Sequence, residues 1–431
     1  MKLVLTLMVR DEVDIIAAMI EHHLDQGADL VIATDNGSVD GTAEVLQSYA
    51  DLGLVELFHD PVHRKQQRSL VTKMARRAFT EHHADWVINA DADEFFVPVD
   101  RSLTLRETLD RVPRFRGAFP APVFNMIGPP AERGAGLTRL VWRDVRPPDV
   151  IQQLGILAHP TSNAVHRGDA DVVVQQGNHF VSIAGAGPLD AGEGVEVYHF
   201  PWRSTAQLER RTINTGTSYE ANPDLKPSPN HHGMADWRRY QEGTLRDSYL
   251  LRLPPADDVP ALEAAGELIH DEWLSDRLQR LVATARRPDL LRACLEPFDE
   301  HVVPVGEHRA GVVRGRAARV AEIERRQAEA EAAAGDKMPQ RPGRTARLRT
   351  VRRRARQVNG RARRGVRKVS RVVARNVTLS VDRGLERRIG RTIETPRTAP
   401  AAAERPVEVS VVDRSAVLPA PVEADVKGGV Q

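Results

Sequence analysis

Short apolar runs alternate along the first hundred residues with segments whose apolar positions recur every three or four residues. The first kind of segment is typical of buried strands and the second of amphipathic helices. Predicted strands lie within 2–12, 30–32, 54–58 and 86–90, and predicted helices within 14–26, around 45–46 and within 66–82. Strands that alternate with helices indicate βαβ units with right-handed crossovers and a parallel sheet. The pattern therefore predicts an α/β fold.

A cluster of carboxylates directly follows the fourth predicted strand. Asp91, Asp93 and Glu94 come after the apolar run Trp86–Ala90, and apolar residues resume at Phe95. Unpaired charge is costly at a core edge, and ligands of open α/β sheets bind outside the carboxyl ends of the strands. Two carboxylates two residues apart in extended backbone point the same way, and their hard oxygens suit Mg²⁺ or Mn²⁺ bound to substrate phosphates. Asp91 and Asp93 are therefore predicted to hold a divalent ion; the alternative is a surface turn paired with arginine.

Six sequence blocks follow one another in a distinctive order. They are LMVRDE (7–12), TDNGSVDGT (34–42), DWVINADADEFF (85–96), GNHF (177–180), YHFPWRS (198–204) and ERRTINTG (209–216). Together they resemble the family 2-like glycosyltransferases with the GT-A fold, in the subgroup that carries DxDEF, GNH and H-F-P-x-R-S blocks. The resemblance spans about the first half of the chain. It implies a Rossmann-like nucleotide-sugar-binding domain with a mostly parallel sheet.

The resemblance also implies roles for individual residues. Those expected to bind the nucleotide sugar are Arg10, Glu12, Asp35 and Asp91, with Arg68 and Lys73 on the helix before the metal strand. The expected metal ligands are Asp91, Asp93 and His199, with His179 as the alternative histidine. Candidates for the catalytic base are Glu94 and His179, beside Asp169, Asp171, Glu193 and Glu196. Two structural alternatives stay open: Glu94 pairs with Arg203, or Asp35 only caps its turn.

One position departs from the family pattern. Relatives often place Lys or Arg before a proline between the metal motif and GNH, whereas Leu157, Ala158 and His159 precede Pro160 here. The charge that this residue would supply is expected to come from Arg167 or His166.

The formal net charge of +2 hides two oppositely charged parts of the 431-residue chain. Sixteen Lys and Arg and no acidic residue lie between Lys337 and Arg375; subtracting 16 from +2 leaves −14 for the rest. The single cysteine, Cys294, excludes an internal disulfide. The sequence predicts four consecutive parts. A GT-A domain covers 1–236, with its nucleotide half to about 98 and its acceptor half from about 99, and a helical region with an exposed helix at 316–334 covers 237–335. A basic segment with loose amphipathic spacing covers 336–394, and a disordered tail covers 395–431.

The chain is thus predicted to be a metal-dependent, hexosyltransferase-type glycosyltransferase. It would use Mn²⁺ or Mg²⁺ to move a sugar from a nucleoside-diphosphate sugar to a glycan or lipid-linked acceptor in surface polysaccharide synthesis. One alternative is a nucleotidyltransferase, although LMVRDEVD lacks the glycine-rich loop typical of that class. Another is a non-catalytic sugar- or anion-binding module recruited by its basic tail.

The apolar windows also bear on location. No window approaches the ~18–20 apolar residues that a spanning helix needs, so we expect a cytoplasmic protein. The basic segment would attach it peripherally to an anionic membrane at the inner face. Nothing in the catalytic half calls for nucleic acid as a partner.

Overall fold

The computed structural model describes residues 1–62, 67–190, 192–221, 227, 231–295 and 301–335. The basic segment predicted at 336–394 and the tail predicted at 395–431 lie outside the described residues. The other domain boundaries stay predictions.

Strands and helices alternate through the first hundred residues as the sequence predicts. The strands are β1 (Leu3–Val9), β2 (Leu30–Asp35), β3 (Val55–His59), β4 (Trp86–Ala90), β5 (Glu94–Pro98), β6 (Ala118–Ala121), β7 (Val123–Ile127), β8 (Trp142–Asp144), β9 (Asn163–Arg167), β10 (Val195–His199) and β11 (Leu268–His270). The helices are α1 (Ile16–Asp25), α2 (Thr42–Ala50), α3 (Gln67–Thr80), α4 (Leu105–Arg111), α5 (Pro148–Gln153), α6 (Thr205–Glu220), α7 (His232–Gln241), α8 (Leu245–Arg252), α9 (Val259–Ala264), α10 (Trp273–Leu281), α11 (Pro288–Leu295) and α12 (Val305–Gly335).

The first sheet has the strand order β3-β2-β1-β4-β9-β6. Its first four strands are parallel, and β9 and β6 join antiparallel. Alternate side chains of β1 point to opposite faces, so Leu5 packs in the main core with α1 while Val4 packs beneath α3. Parallel register brings Val9 beside Asp35 at one edge, where the carboxyl end of β4 also lies. The predicted α/β fold with a mostly parallel sheet is confirmed.

The second sheet has the strand order β11-β8-β7-β10-β5. Its strands β5 and β10 bring the Asp91–Asp93 loop close to His199, about one hundred residues later in the chain. Strand β5 begins at Glu94, directly after Asp93, and runs antiparallel to β10. In this register His199 lies opposite Glu94. The end of β10 therefore meets the loop that carries Asp91 and Asp93.

Helix α12 differs from the exposed helix predicted at 316–334. It begins at Val305, and its first half packs closely on α8. Gly311 and Gly315 allow this approach, because a Cβ on Gly315 would lie 2.6 Å from the carbonyl oxygen of Asp247. The predicted stretch falls in the second half of α12, where most of the described side chains are exposed as expected, whereas the packed first half was not predicted. No helix in the described ranges is both long and apolar enough to cross a bilayer.

Candidate active site

A cavity of about 680 Å³ opens at the carboxyl ends of β1 and β4 and extends to helices α6, α7, α8 and α12. Seven residues that the sequence singled out line it. They are Arg10, Glu12, Asp91, Asp93, Glu94, His179 and His199. Side chains separated by almost 190 positions in the sequence thus share one cavity.

Asp93 and His199 lie next to each other on the wall of this cavity. Asp93 Oδ2 lies 3.5 Å from His199 Nε2. The other ring nitrogen, Nδ1, lies 2.9 Å from Asn125 Oδ1. Because an amide oxygen only accepts, Nδ1 donates to Asn125, and Nε2 is the ring nitrogen that faces Asp93. Burial opposes ionisation of Asp93, but His199, Arg211 and Arg203 together hold the pKa of its carboxyl well below the usual value.

The chemistry of this pair fits a divalent ion shared with a substrate. Two ligands of one ion, each about 2.1 Å from it, lie about 3 to 3.5 Å apart. Within the described part of the chain, no three His, Cys, Asp or Glu side chains form a complete protein cage. A cage is not required, because an ion of this kind is held by one or two carboxylates and by substrate phosphates. Asp93 and His199 would be its protein ligands, while Asp91 lines the same cavity without joining them in a three-residue group.

A chain of hydrogen bonds runs from Asp91 to His179. Glu94 Oε2 accepts from the backbone N–H of Asp91 at 3.1 Å and from Asn163 Nδ2 at 2.8 Å. Asn163 Oδ1 lies 3.1 Å from His179 Nδ1, so that nitrogen donates. Burial, reinforced by the charges of Asp91 and Asp93, raises the pKa of Glu94 well above its usual value. Burial lowers the pKa of His179, which favours a neutral imidazole.

Arg203, in the YHFPWRS block, is a fully buried cation among carboxylates. Its Nε donates to Asp14 Oδ2 at 2.8 Å, and its Nη2 donates to Glu12. Its Nη1 lies 3.9 Å from Asp93 Oδ2. The suggested pairing of Glu94 with Arg203 is wrong, because the guanidinium binds the segment after β1 while Glu94 accepts from Asn163. Arg203 therefore joins the β1–α1 connection to the metal-motif loop.

Neither Arg167 nor His166 lines the cavity, whereas an arginine of α6 does. Arg211 lines the cavity with its Nη1 at 3.6 Å from Asp93 Oδ2. Arg167 lies 4.3 Å over the Trp86 ring and donates to the carbonyl of Val112. Burial lowers the pKa of His166 to about 4, so it is neutral at physiological pH. Neither of these residues belongs to the cavity wall.

Asp35 is the last residue of β2, and Arg10 directly follows β1. The Asp35 carboxylate is buried and accepts the backbone N–H of Ser38 at 3.2 Å. Arg10 Nη1 donates to the carbonyl of Asn36 at 2.5 Å. Arg10 and Asn36 line the cavity, whereas Asp35 does not. A role for Asp35 in the turn is thus visible, and its nucleotide contact stays a prediction.

Arg68 and Lys73 are not brought into the cavity. Both lie exposed on α3, whose buried residues face the sheet. The α3 residue that reaches the cavity is Gln67, whose Nε2 donates to Asp91 Oδ1 at 2.9 Å. The predicted nucleotide contacts of Arg68 and Lys73 have no support in this geometry.

Several residues of the site carried no signal in the sequence. Asn125 and Asn163 orient the two histidines, but isolated asparagines have no distinctive spacing. Gln207, on the first turn of α6, is 3% exposed and lines the cavity. Its amide nitrogen and oxygen have no hydrogen-bond partner among the described residues. A donor and an acceptor are therefore available there to a ligand.

Residues 6–118 match the model of glycosyltransferase family 92. This segment runs from within β1 to the first residue of β6 and contains Asp91, Asp93 and Glu94. The enzyme class predicted from the sequence is thereby confirmed: the chain is a glycosyltransferase. Its placement in the family 2-like subgroup and the reading of the individual motifs stay predictions.

Solved structures that resemble the chain include the 1–349 portion of S. aureus TarS in complex with UDP. It is 12% identical, with a TM-score of 0.31, over 76% of this chain and 92% of that one. Glucosyl-3-phosphoglycerate synthase from Mycobacterium tuberculosis, in complex with Mn²⁺, UDP and glucosyl-3-phosphoglycerate, is 16% identical. Its TM-score is 0.21, over 38% of this chain and 56% of that one. No curated protein matches the chain.

Proposed function

We propose that the chain is a Mn²⁺- or Mg²⁺-dependent glycosyltransferase that moves a sugar from a nucleoside-diphosphate sugar to a glycan or lipid-linked acceptor. The observation that carries this proposal is the 3.5 Å approach of Asp93 Oδ2 and His199 Nε2 inside the cavity. A buried carboxylate and an oriented imidazole at the carboxyl edge of a parallel sheet suit an ion that binds a diphosphate.

The donor end needs positive charge where the leaving diphosphate gains negative charge. When bound, the divalent ion supplies Lewis-acid stabilisation of the phosphate oxygens. Arg211 adds a guanidinium 3.6 Å from Asp93, within reach of the same diphosphate. Arg10 and Glu12, at the end of β1 on the cavity wall, are assigned to the nucleotide portion of the donor.

The acceptor hydroxyl must lose a proton as its oxygen attacks the anomeric carbon and the bond to the diphosphate breaks. We assign the base to His179, because burial favours its neutral form and the bond to Asn163 leaves Nε2 as the proton acceptor. Glu94 is assigned a positioning role, because its Oε2 already accepts from Asp91 and Asn163. Gln207, with an unpartnered donor and acceptor, is assigned to sugar hydroxyls.

The proposed setting is the synthesis of a surface polysaccharide at the inner face of the membrane. Support comes from the basic run between Lys337 and Arg375, since each basic residue near an anionic leaflet contributes about 1 kcal/mol of attraction. A membrane-bound enzyme would meet lipid-linked acceptors directly.

A panel of nucleotide sugars tests the proposed function. Release of nucleoside diphosphate is measured with Mn²⁺, with Mg²⁺ and with a chelator, using water as the acceptor. We expect at least one nucleotide sugar to be hydrolysed in the presence of the ion and none with the chelator. Equal hydrolysis with the chelator would contradict metal dependence, and release of pyrophosphate from nucleoside triphosphates would indicate nucleotidyl transfer instead.

A further inference from the structure

The cavity has a second charged region, away from the sheet edge and built by helices. Its members are the guanidinium groups of Arg239 on α7, Arg252 on α8, and Arg319 and Arg326 on α12, here called the arginine cluster. The donor-end carboxylates, in contrast, belong to the loop between β4 and β5. One cavity therefore joins a carboxylate end to a guanidinium end.

Two carboxylates connect the cluster. Asp236 accepts from Arg239 Nη1 at 2.6 Å and from Arg252 Nη2 at 2.5 Å. Glu322 accepts from Arg239 Nη2 and Arg319 Nη1, both at 3.0 Å, and lies 2.7 Å from Arg326 Nη2. Among the described residues, four guanidinium groups thus share two carboxylates and leave an excess of two positive charges.

Both carboxylates are ionised, so the excess charge persists at neutral pH. Burial opposes ionisation of Asp236, but Arg252 and Arg239 lower its pKa to about 2. Burial likewise opposes ionisation of Glu322, and Arg239 and Arg319 lower its pKa.

Two hydrogen-bond donors of the cluster have no partner among the described residues. Arg252 is 4% exposed and lines the cavity, and its Nε has no partner among the described residues. The Nε of Arg319 is likewise buried without a partner in that part of the chain. An ion-pair network that existed only to join three helices would need neither the excess charge nor these donors. Buried cations with unused donors are instead suited to an anionic ligand.

The loop after α5 keeps the cluster accessible from the cavity. Gly155 has a positive φ of 78°, and a Cβ there would lie 3.4 Å from Arg239 Nη2. Because glycine adopts this conformation without strain and has no side chain, the backbone can pass close to the guanidinium groups. Gly155 and the residues that follow it line the same cavity.

We propose that the arginine cluster binds a phosphate group of the acceptor, so that the glycosyl acceptor is a phosphorylated compound. This inference rests on the proposed glycosyl transfer, in which the donor diphosphate occupies the other end of the cavity. Guanidinium groups bind phosphate through paired hydrogen bonds, and an excess of two positive charges matches a phosphate dianion. Sugar phosphates and lipid diphosphates carry a group of this charge, whereas each phosphate of a phosphodiester polymer is a monoanion. All three present anionic phosphate oxygens to the cluster.

The test is titration calorimetry on the full chain with the donor end filled by UDP and Mg²⁺. The probes are glucose 1-phosphate, inorganic phosphate, glucuronate and methyl glucoside. The variants are the double substitution R319Q/R326Q and, as the matched control, Arg325→Gln. Arg325 lies on the same helix and pairs with Glu242 at 2.6 Å, outside the residues that line the cavity. Arg326→Gln alone, at a partly exposed side chain, keeps the test valid if the double variant does not fold.

Glucose 1-phosphate and inorganic phosphate are expected to bind the wild type and Arg325→Gln, and to bind R319Q/R326Q at least tenfold more weakly. Methyl glucoside is expected not to bind. Unchanged phosphate affinity in the double variant, or methyl glucoside bound as tightly as glucose 1-phosphate, would overturn the proposal. Tighter binding of glucuronate than of glucose 1-phosphate would overturn the assignment to phosphate.

Two further measurements separate the possible sources of phosphate and the two proposals. Glycerophosphoglycerol and a short prenyl diphosphate compete with glucose 1-phosphate, and the stronger competitor identifies a polymer or a lipid carrier as the source. Hydrolysis of the nucleotide sugar by water is measured on the same samples. It should match the wild type in the control Arg325→Gln, whose side chain lies outside the cavity wall. A wild type without hydrolysis would contradict the proposed function, while the phosphate result would stand alone.

Discussion

Replacing Arg203 by methionine should destabilise the protein strongly. The guanidinium is fully buried and donates to Glu12 and Asp14 at once. Its removal leaves carboxylates without their counter-charge, and breaking a buried ion pair in this way costs about 3–5 kcal/mol. The side chains of Glu12 and Asp14 are 16% and 19% exposed, so water can reach them in part. We therefore expect a loss near the lower end, about 3 kcal/mol.

Urea denaturation followed by circular dichroism measures this loss as a lower transition midpoint with an unchanged slope. Arg210→Met is the matched control, because Arg210 lies 3.4 Å from Asp14 but is one-third exposed. Its loss should stay below about 1 kcal/mol, as for exposed pairs. Adding Asp14→Asn to Arg203→Met should recover part of the stability, because one of the orphaned charges is removed. A loss below about 1 kcal/mol for Arg203→Met, or no recovery in the double variant, would refute the reasoning.

Three further predictions address other parts of the molecule. Asn125→Ala should weaken Mn²⁺ binding in the presence of UDP by about 10- to 100-fold, because His199 loses the hydrogen bond that orients its ring. Electron paramagnetic resonance measures the Mn²⁺ affinity, and an unchanged value would contradict this prediction. Asp35→Ala should weaken nucleotide binding by about 1–3 kcal/mol in calorimetry, and unaltered affinity with a lower melting temperature would restrict its carboxylate to the turn with Ser38. Removal of residues 337–431 should abolish co-sedimentation with anionic liposomes, whereas equal binding after truncation, or binding that ignores anionic lipid, would exclude the membrane role.

The first half of the fold could be predicted because its information is local. Apolar runs such as Trp86–Ala90 and the helix period before them define strands and helices without reference to distant residues. The carboxyl edge of a parallel sheet then brings Asp91 and Asp93 to the same place as the end of β1. This placement follows from topology alone, so the position of the site could be inferred from the sequence.

The remaining contacts depend on long-range packing that no spacing encodes. Arg203 could be found in a motif, but its pairing with Glu12 and Asp14 depends on where the loop after β10 meets the β1–α1 connection. Arg211 reaches Asp93 only because α6 crosses the cavity, and the sequence favoured Arg167 and His166 instead. The contact of α12 with α8 depends on Gly311 and Gly315. Because glycine is a poor helix former, these residues do not predict a packed helix from the sequence.

We propose that Asp93 holds the ion on which sugar transfer depends. Its most direct test is the initial rate of nucleotide-sugar hydrolysis at saturating Mn²⁺ for the wild type, for Asp93→Asn and for Asp171→Asn. Asp171 is exposed and lies outside the cavity wall, so its substitution makes the same chemical change away from the site. The account predicts that Asp93→Asn falls to the uncatalysed rate while Asp171→Asn matches the wild type. Full activity in Asp93→Asn would contradict the account.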